Sequence, residues 1–213
     1  MSNINIGKYN HKLNNEKVFI FDIDDTLYKR SMAIKNKEKF IWDLYYTSMR
    51  NKDMPQVSEN LSLLQLNNFK LYKFRKDVSK RADESKQREF FTEFVFPDVK
   101  LKKLLNNIPF KKFCFTNGGL YRSRTILDIM EITECFDGVF YAENKDFIPI
   151  GKPLENSYKF IMDFLSITNP KQIYFFDDLE INISAAKKLG WNAFLIKEND
   201  DLTHIVKMVI KNN

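Results

Sequence analysis

Apolar residues in this chain fall into short unbroken runs that alternate with stretches of helical spacing. The first run, Val18–Phe21, is apolar and β-prone at every position, and charge begins where it stops, at Asp22 and Asp24. A run with no polar alternation predicts a strand buried on both faces, as in a parallel sheet. Residues 113–115 and 173–176 repeat the pattern and end on Thr116-Asn117-Gly118-Gly119 and on Asp177-Asp178. Helical spacing predicts helices over 120–130, 154–165, 181–189 and 201–210. In the second of these, Leu154, Tyr158, Ile161, Met162 and Leu165 share one face. Shorter strands are predicted at 138–141 and 193–196, and Gly190 is the expected helix stop. Such alternation requires parallel strands joined by crossovers, an α/β fold of the Rossmann-like three-layer sandwich type, with its site at one strand edge.

One long segment breaks the alternation. Residues 29–110 carry the spacing of helices rather than strands, with Ile41, Leu44, Tyr45 and Ser48 on one face and Phe90, Phe91, Phe94 and Val95 on another. The expected organisation is therefore a core from residues 1–28 and 111–213, with 29–110 inserted as a helical cap with connecting segments. Trp42, Tyr45, Tyr46, Phe69, Tyr72 and Phe74 fit a small helical interior, or a surface on which a base stacks. Lys70, Lys73, Arg75 and Lys76 read as a solvated face or as partners for an anion.

The strand ends carry the chemistry. Asp22 and Asp24 lie two residues apart at the carboxyl end of the first strand, where open α/β sheets place ligands. Clustered carboxylates repel one another and call for a cation, most simply a hard divalent metal. Thr116 and the glycines after it offer hydroxyl and backbone N–H donors to a phosphate at a helix start. Lys152 stands just before Pro153 and the next predicted helix, where its charge opposes the helix dipole unless an anion lies between them. Asp177 and Asp178, with Asn182 one turn later, would complete an oxygen cage for Mg²⁺.

These strings together resemble the haloacid dehalogenase superfamily. Its four motifs are matched by 22–27 (Asp-Ile-Asp-Asp-Thr-Leu), Thr116-Asn117, Lys152-Pro153, and Asp177-Asp178 with Asn182. Within it, residues 21–28, 115–117 and 96–101 are similar to the pyrimidine 5′-nucleotidase branch. The resemblance implies a Mg²⁺-dependent phosphomonoester hydrolase acting through an aspartyl-phosphate. Asp22 would be the nucleophile and Asp24 the acid and base. Thr116, Asn117, Gly118 and Lys152 would bind the phosphate, and Asp22, Asp24 (by its main-chain carbonyl), Asp178 and Asp177 would serve the metal. Asp24 separates this reading from dehalogenases and ion pumps, which do not carry an acid there. Asp25 stays outside the catalytic set, as a turn residue. The implied substrate is a small phosphorylated metabolite, first a nucleoside 5′-monophosphate. The alternatives are a non-catalytic regulatory or binding protein on the same fold, and a sugar-phosphate mutase or phosphotransferase. A cap would close over the site and gate turnover. Relatives of the nucleotidase branch carry glycines in that cap, whereas this chain has none between Gly7 and Gly118.

Composition narrows the alternatives further. A cysteine phosphatase needs an arginine six positions after its nucleophile, but Cys114 is followed there by Leu120 and Cys135 by Tyr141. Two cysteines without paired spacing argue against a disulfide framework or zinc site. His11 and His204 stand apart from any acidic or glycine motif and read as surface residues. The net charge of +6 suits an anionic partner, but the lysines are scattered, which favours a phosphorylated metabolite over nucleic acid. Residues 1–17 lack a signal-peptide core and no apolar run is long enough for a bilayer, so no membrane partner and a cytoplasmic location are expected. Oligomeric state is left open.

Overall fold

The computed structural model describes residues 16–36, 84–141 and 151–211. Five parallel strands form one sheet: β1 (Val18–Phe21), β2 (Lys111–Thr116), β3 (Gly138–Tyr141), β4 (Ile173–Asp177) and β5 (Asn192–Leu195), in the order β3-β2-β1-β4-β5. Helices α1 (Glu84–Thr92) and α2 (Val99–Asn107) precede β2, and α3 (Leu120–Ile129) follows it. Helix α4 (Glu155–Phe164) leads to β4, α5 (Glu180–Lys188) joins β4 to β5, and α6 (Leu202–Lys211) comes last.

Successive strand residues face opposite sides of the sheet, and both sides are covered. Phe19, Phe21, Cys114, Tyr174 and Phe176 pack with Leu101, Leu104 and Leu105 of α2, Ile126 and Leu127 of α3, and Val206 and Val209 of α6. Val18, Ile20, Phe113, Phe115, Ile173 and Phe175 pack on the other face with Tyr158 and Ile161 of α4 and Ile183 and Ala186 of α5. This is the three-layer α/β sandwich that unbroken apolar runs require. On the first face the rings form a ladder, with Phe21 and Phe176 stacked at 4.9 Å, Phe176 and Phe194 at 5.1 Å, and Phe19 and Tyr174 at 5.1 Å.

Strands β1 and β3 coincide with their expected ranges, and the helices lie within a residue of theirs. β2 begins two residues earlier, at Lys111, because Asp137 binds that end: it takes the Lys111 ammonium at 2.6 Å and the Lys112 N–H at 2.9 Å. Gly190 ends α5 with φ +88, as its position suggested. Of the inserted 29–110 span, residues 37–83 lie outside the described residues. Ile41, Trp42, Leu44, Tyr45, Tyr46, Ser48, Phe69, Lys70, Tyr72, Lys73, Phe74, Arg75 and Lys76 fall there, as His11 does at the start of the chain. The described remainder joins the core. Phe91, Val95, Leu101, Leu104 and Leu105 are buried in the first cluster, and Asp98 caps α2 by accepting the Leu101 N–H at 2.9 Å. Helix α2 thus packs on the sheet. No helix among the described residues is long and apolar enough to cross a membrane.

The strand order fixes the site. The chain steps outward from β1 to β2 and β3, then returns to the far side of β1 for β4 and β5. Ligands bind where such an order reverses, outside the carboxyl ends of the strands. Phe21 is level with Cys114 of β2 and Phe176 of β4, so Asp22, whose N–H donates to the Phe176 carbonyl at 2.8 Å, lies beside Phe115 and Asp177.

Candidate active site

Lys152 is the hub of this edge. Its side chain is 2% exposed, and its ammonium donates to Asp22 Oδ1 at 2.5 Å, Asp177 Oδ2 at 2.6 Å and the Phe115 carbonyl at 2.7 Å. Three acceptors match the three N–H bonds of an ammonium. The anions expected near this lysine are therefore two aspartates of the chain itself. Beneath it lie the Phe115 and Phe175 rings, with centres 5.2 and 5.6 Å from Nζ.

Two side chains hold the loop that carries Lys152. Asn117 donates from Nδ2 to the Lys152 carbonyl at 2.8 Å and accepts the Lys152 N–H on Oδ1 at 2.7 Å. Both ends of an amide expected to face phosphate are thus engaged with the lysine main chain. Ser157, in the first turn of α4, accepts the Gly151 N–H at 2.6 Å and donates to the Gly151 carbonyl at 2.8 Å. Asp177, fully buried, also accepts the Leu179 N–H and the Asn182 amide at 2.9 Å each on Oδ1. Its carboxylate holds Lys152 and ties the start of α5 to the site.

Charge is unbalanced here, with two carboxylates to one ammonium. Burial pushes the Asp22 carboxyl up to about 8; Lys152 opposes this, while Asp177 and Asp24 add to it. Burial works against the Lys152 charge as well, but Asp177 and Asp22 outweigh it and hold the lysine above its ordinary value. Asp178, half-buried, is pushed up to about 6 by burial, with Asp177 and Asp25 adding. Among the described residues no group of three or more His, Cys, Asp or Glu is placed to hold a metal ion. Magnesium does not need one, since it binds through one or two carboxylates and keeps waters and substrate oxygens for its other positions. Asp22 and Asp178, whose carboxyls resist ionising without a cation beside them, together with the Asp24 carbonyl on the turn after β1, are a donor set of hard oxygens that fits it.

The end of β2 builds the other side of this edge. Thr116 is buried, and its hydroxyl accepts the Gly118 N–H at 2.9 Å, which leaves the hydroxyl proton to donate elsewhere. A Cβ on Gly118 would stand 3.2 Å from Thr116 Oγ1 and 3.9 Å from Asp24 Oδ2, so glycine allows the turn to close on both. Across from it, Asp24 Oδ1 accepts from the Tyr28 hydroxyl and from Arg122, each at 2.6 Å. Asp25, with φ 59, turns its carboxylate to Arg30, taking Nε at 2.8 Å, Nη2 at 2.6 Å and the main-chain N–H at 2.8 Å. The edge thus gathers Asp22, Asp24, Thr116, Gly118, Lys152 and Asp177, with Asp178 next in the chain after β4.

A model of the haloacid dehalogenase-like hydrolases matches residues 16–190. The chain belongs to that family. Solved structures share the fold of this haloacid dehalogenase-like hydrolase at low identity. A hydrolase of the same family from Porphyromonas gingivalis aligns over 93% of this chain and 99% of its own, with 14% identity and a TM-score of 0.57. The hydrolase YfnB of Bacillus subtilis, solved bound to magnesium, aligns over 91% and 98%, with 15% identity and a TM-score of 0.53. A variant of a Bacteroides thetaiotaomicron family enzyme, solved with magnesium and inorganic phosphate, aligns over 90% and 98%, with 18% identity and a TM-score of 0.56.

Arg122 and Ser157 have no signal in the sequence, and Tyr28, though inside the 21–28 string, has no role that the string assigns. Arg122 follows the Thr116–Gly119 turn on a helix that also carries Arg124, where an arginine reads as surface, and Ser157 is one serine in a helix start. Their partners are set by the fold.

Proposed function

We propose that this haloacid dehalogenase-like hydrolase is a Mg²⁺-dependent phosphomonoester hydrolase that works through an aspartyl-phosphate on Asp22. The observation that carries the reading is the buried Asp22–Lys152–Asp177 contact set at the switch point, with Thr116 and Asp24 on either side. In the first step an oxygen of Asp22 bonds to phosphorus as the ester P–O bond breaks, and Asp24 protonates the leaving oxygen. In the second, Asp24 takes a proton from the water that attacks phosphorus and frees Asp22. Lys152, fixed by Asn117 and with its three N–H bonds taken by Asp22, Asp177 and the Phe115 carbonyl, offsets the negative charge beside the phosphoryl group by its field, and the Thr116 hydroxyl orients a phosphoryl oxygen. Asp22, Asp178 and the Asp24 main-chain carbonyl would hold Mg²⁺, which supplies the positive charge that keeps Asp22 ionised and screens it from an anionic substrate. Magnesium in the Bacillus and Bacteroides relatives supports that assignment.

The substrate is a small phosphorylated metabolite in the cytosol, first a nucleoside 5′-monophosphate; the support is the likeness of residues 21–28, 96–101 and 115–117 to the pyrimidine 5′-nucleotidase branch. Phosphate release from a panel of nucleotides, sugar phosphates, phosphoamino acids and vitamin phosphates, in Mg²⁺ and in EDTA, tests this. Metal-dependent release confined to nucleotides and absent in Asp22→Asn is expected. No release from any ester would favour a binding protein, and phosphoryl transfer to a sugar hydroxyl a mutase.

A further inference from the structure

Two donors from distant parts of the chain converge on one oxygen of Asp24. The Tyr28 hydroxyl and Arg122 Nη2 both donate to Oδ1 at 2.6 Å, and Arg122 also reaches the Tyr28 hydroxyl oxygen at 3.3 Å. The guanidinium carbon of Arg122 lies 5.0 Å from the centre of the Phe91 ring, a cation–π contact that fixes the orientation of the guanidinium. Asp24 Oδ2 faces a different group. The place a Gly118 Cβ would take is 3.9 Å from it and 3.2 Å from Thr116 Oγ1, so this oxygen lies toward the phosphate-side turn.

From this division of one carboxylate we infer that Arg122 and Tyr28 are positioning residues for Asp24. They hold Oδ1, so that Oδ2 is the atom that exchanges the proton. The inference rests on the phosphatase reading and adds to it two residues outside the four motifs. Its physical basis is the demand of proton transfer for placement, where a shift of about 1 Å costs on the order of 100-fold in rate. Asp24 is at the mouth of the site, its side chain 19% exposed, and a carboxylate there keeps one orientation only if something grips it. Tyr28 grips it from its own turn, to which Asp24 is bridged. Arg122 grips it from the first turn of α3, the helix that starts at the Thr116–Gly119 turn, so the acid is kept in register with the phosphate donors.

The step balances as follows. When Asp22 bonds to phosphorus, the ester P–O pair goes to the leaving oxygen, which takes the proton from Asp24 Oδ2. When water bonds to phosphorus, the Asp22–phosphorus bond breaks and a water proton returns to Oδ2. An aryl leaving group of low pKa departs without that first proton, whereas an alkyl one does not. Misplacing Asp24 therefore penalises alkyl esters selectively in kcat/KM, which reports the first irreversible step.

The test compares the best alkyl monoester from the substrate panel with p-nitrophenyl phosphate, in Mg²⁺, for the wild type, Arg122→Met, Arg122→Lys and Tyr28→Phe. Arg122→Met is expected to lose about 10- to 100-fold in kcat/KM on the alkyl ester and less than about 3-fold on the aryl ester. Tyr28→Phe, which removes one hydroxyl, should show the same selectivity at about 2- to 10-fold, and Arg122→Lys should recover part of the loss. Equal losses on the two esters, or none, in variants that melt like the wild type would overturn the inference while the phosphatase reading stands. A wild type that hydrolyses neither ester removes that reading, and the inference with it.

Discussion

Replacing Lys152 by Met should unfold this protein more readily than any single change elsewhere at the site. Methionine keeps the apolar stem over Phe115 and Phe175 but removes the ammonium that Asp22 and Asp177 share at 2.5 and 2.6 Å. Asp177 is 0% exposed and Asp22 6%, so neither carboxylate can turn to water. Breaking a buried pair by deleting one partner costs roughly 3–5 kcal/mol. Asp177 retains its Leu179 and Asn182 donors, and Asp22, already pushed up to about 8, can take a proton; both facts set the neutral-pH loss at the lower end of that range. At about 2–4 °C per kcal/mol for a chain of this size, the melting point falls by roughly 6–12 °C. The loss also grows with pH. A carboxyl whose folded pKa lies above its unfolded value leaves the native state with more bound protons, so stability falls as pH rises from about 4 through about 8. Without Lys152 to oppose it, the Asp22 carboxyl is held higher still, so the fall continues to more alkaline pH. Urea unfolding at pH 5, 7 and 8.5 in metal-free buffer, with Asp177→Asn and the double variant completing a cycle, measures this. A Lys152→Met protein within about 1 kcal/mol of the wild type at every pH, against the 3–5 kcal/mol expected, would refute the lysine as a buried counter-ion.

Asp22→Asn should abolish turnover yet match or exceed the wild type in metal-free stability, with an advantage that grows between pH 5 and pH 8, because the asparagine has no proton to lose; thermal melts at the two pH values check the sign. Added Mg²⁺ should raise the melting point of the wild type and do so far less in that variant. Asn117→Ala strips both hydrogen bonds from the Lys152 main chain, and should cost about 1–3 kcal/mol in urea unfolding and lower kcat more than it raises KM. Gly190→Ala places a Cβ 2.9 Å from Pro170 Cγ at φ +88, and a loss of about 1–3 kcal/mol in urea unfolding, with kcat unchanged, is expected.

The sheet is legible because a strand buried on both faces has no polar positions, and Val18–Phe21 and Ile173–Phe176 are four apolar, β-prone residues in a row that stop on carboxylates, too short for a helix. Their carboxyl ends bring Asp22 and Asp177 together for the same reason, since parallel strands in register place equivalent ends side by side. Helix-on-helix detail was less accessible. The Arg122–Asp24 contact spans 98 residues and depends on how α3 sits over the turn after β1, which no local pattern encodes. The Asn117 clamp is hidden in the sequence for a similar reason. An amide at a strand end suits phosphate as well as main chain, and only the approach of the Lys152 loop selects the second. The apolar run marks only the inner part of β2, because Lys111 and Lys112 have the polarity of loop residues and are held in the strand by Asp137.

The proposed covalent step is open to direct observation. Substrate radiolabelled in its phosphoryl group, mixed with the protein in Mg²⁺ and quenched in acid within one turnover, should leave label on the chain. Peptide mapping should find it on Asp22, with borohydride reduction converting that aspartyl-phosphate to homoserine, and Asp24→Asn should make the label accumulate by slowing its release to water. Label on another residue, or hydrolysis of the substrate with no label retained in either protein, would contradict Asp22 as the nucleophile.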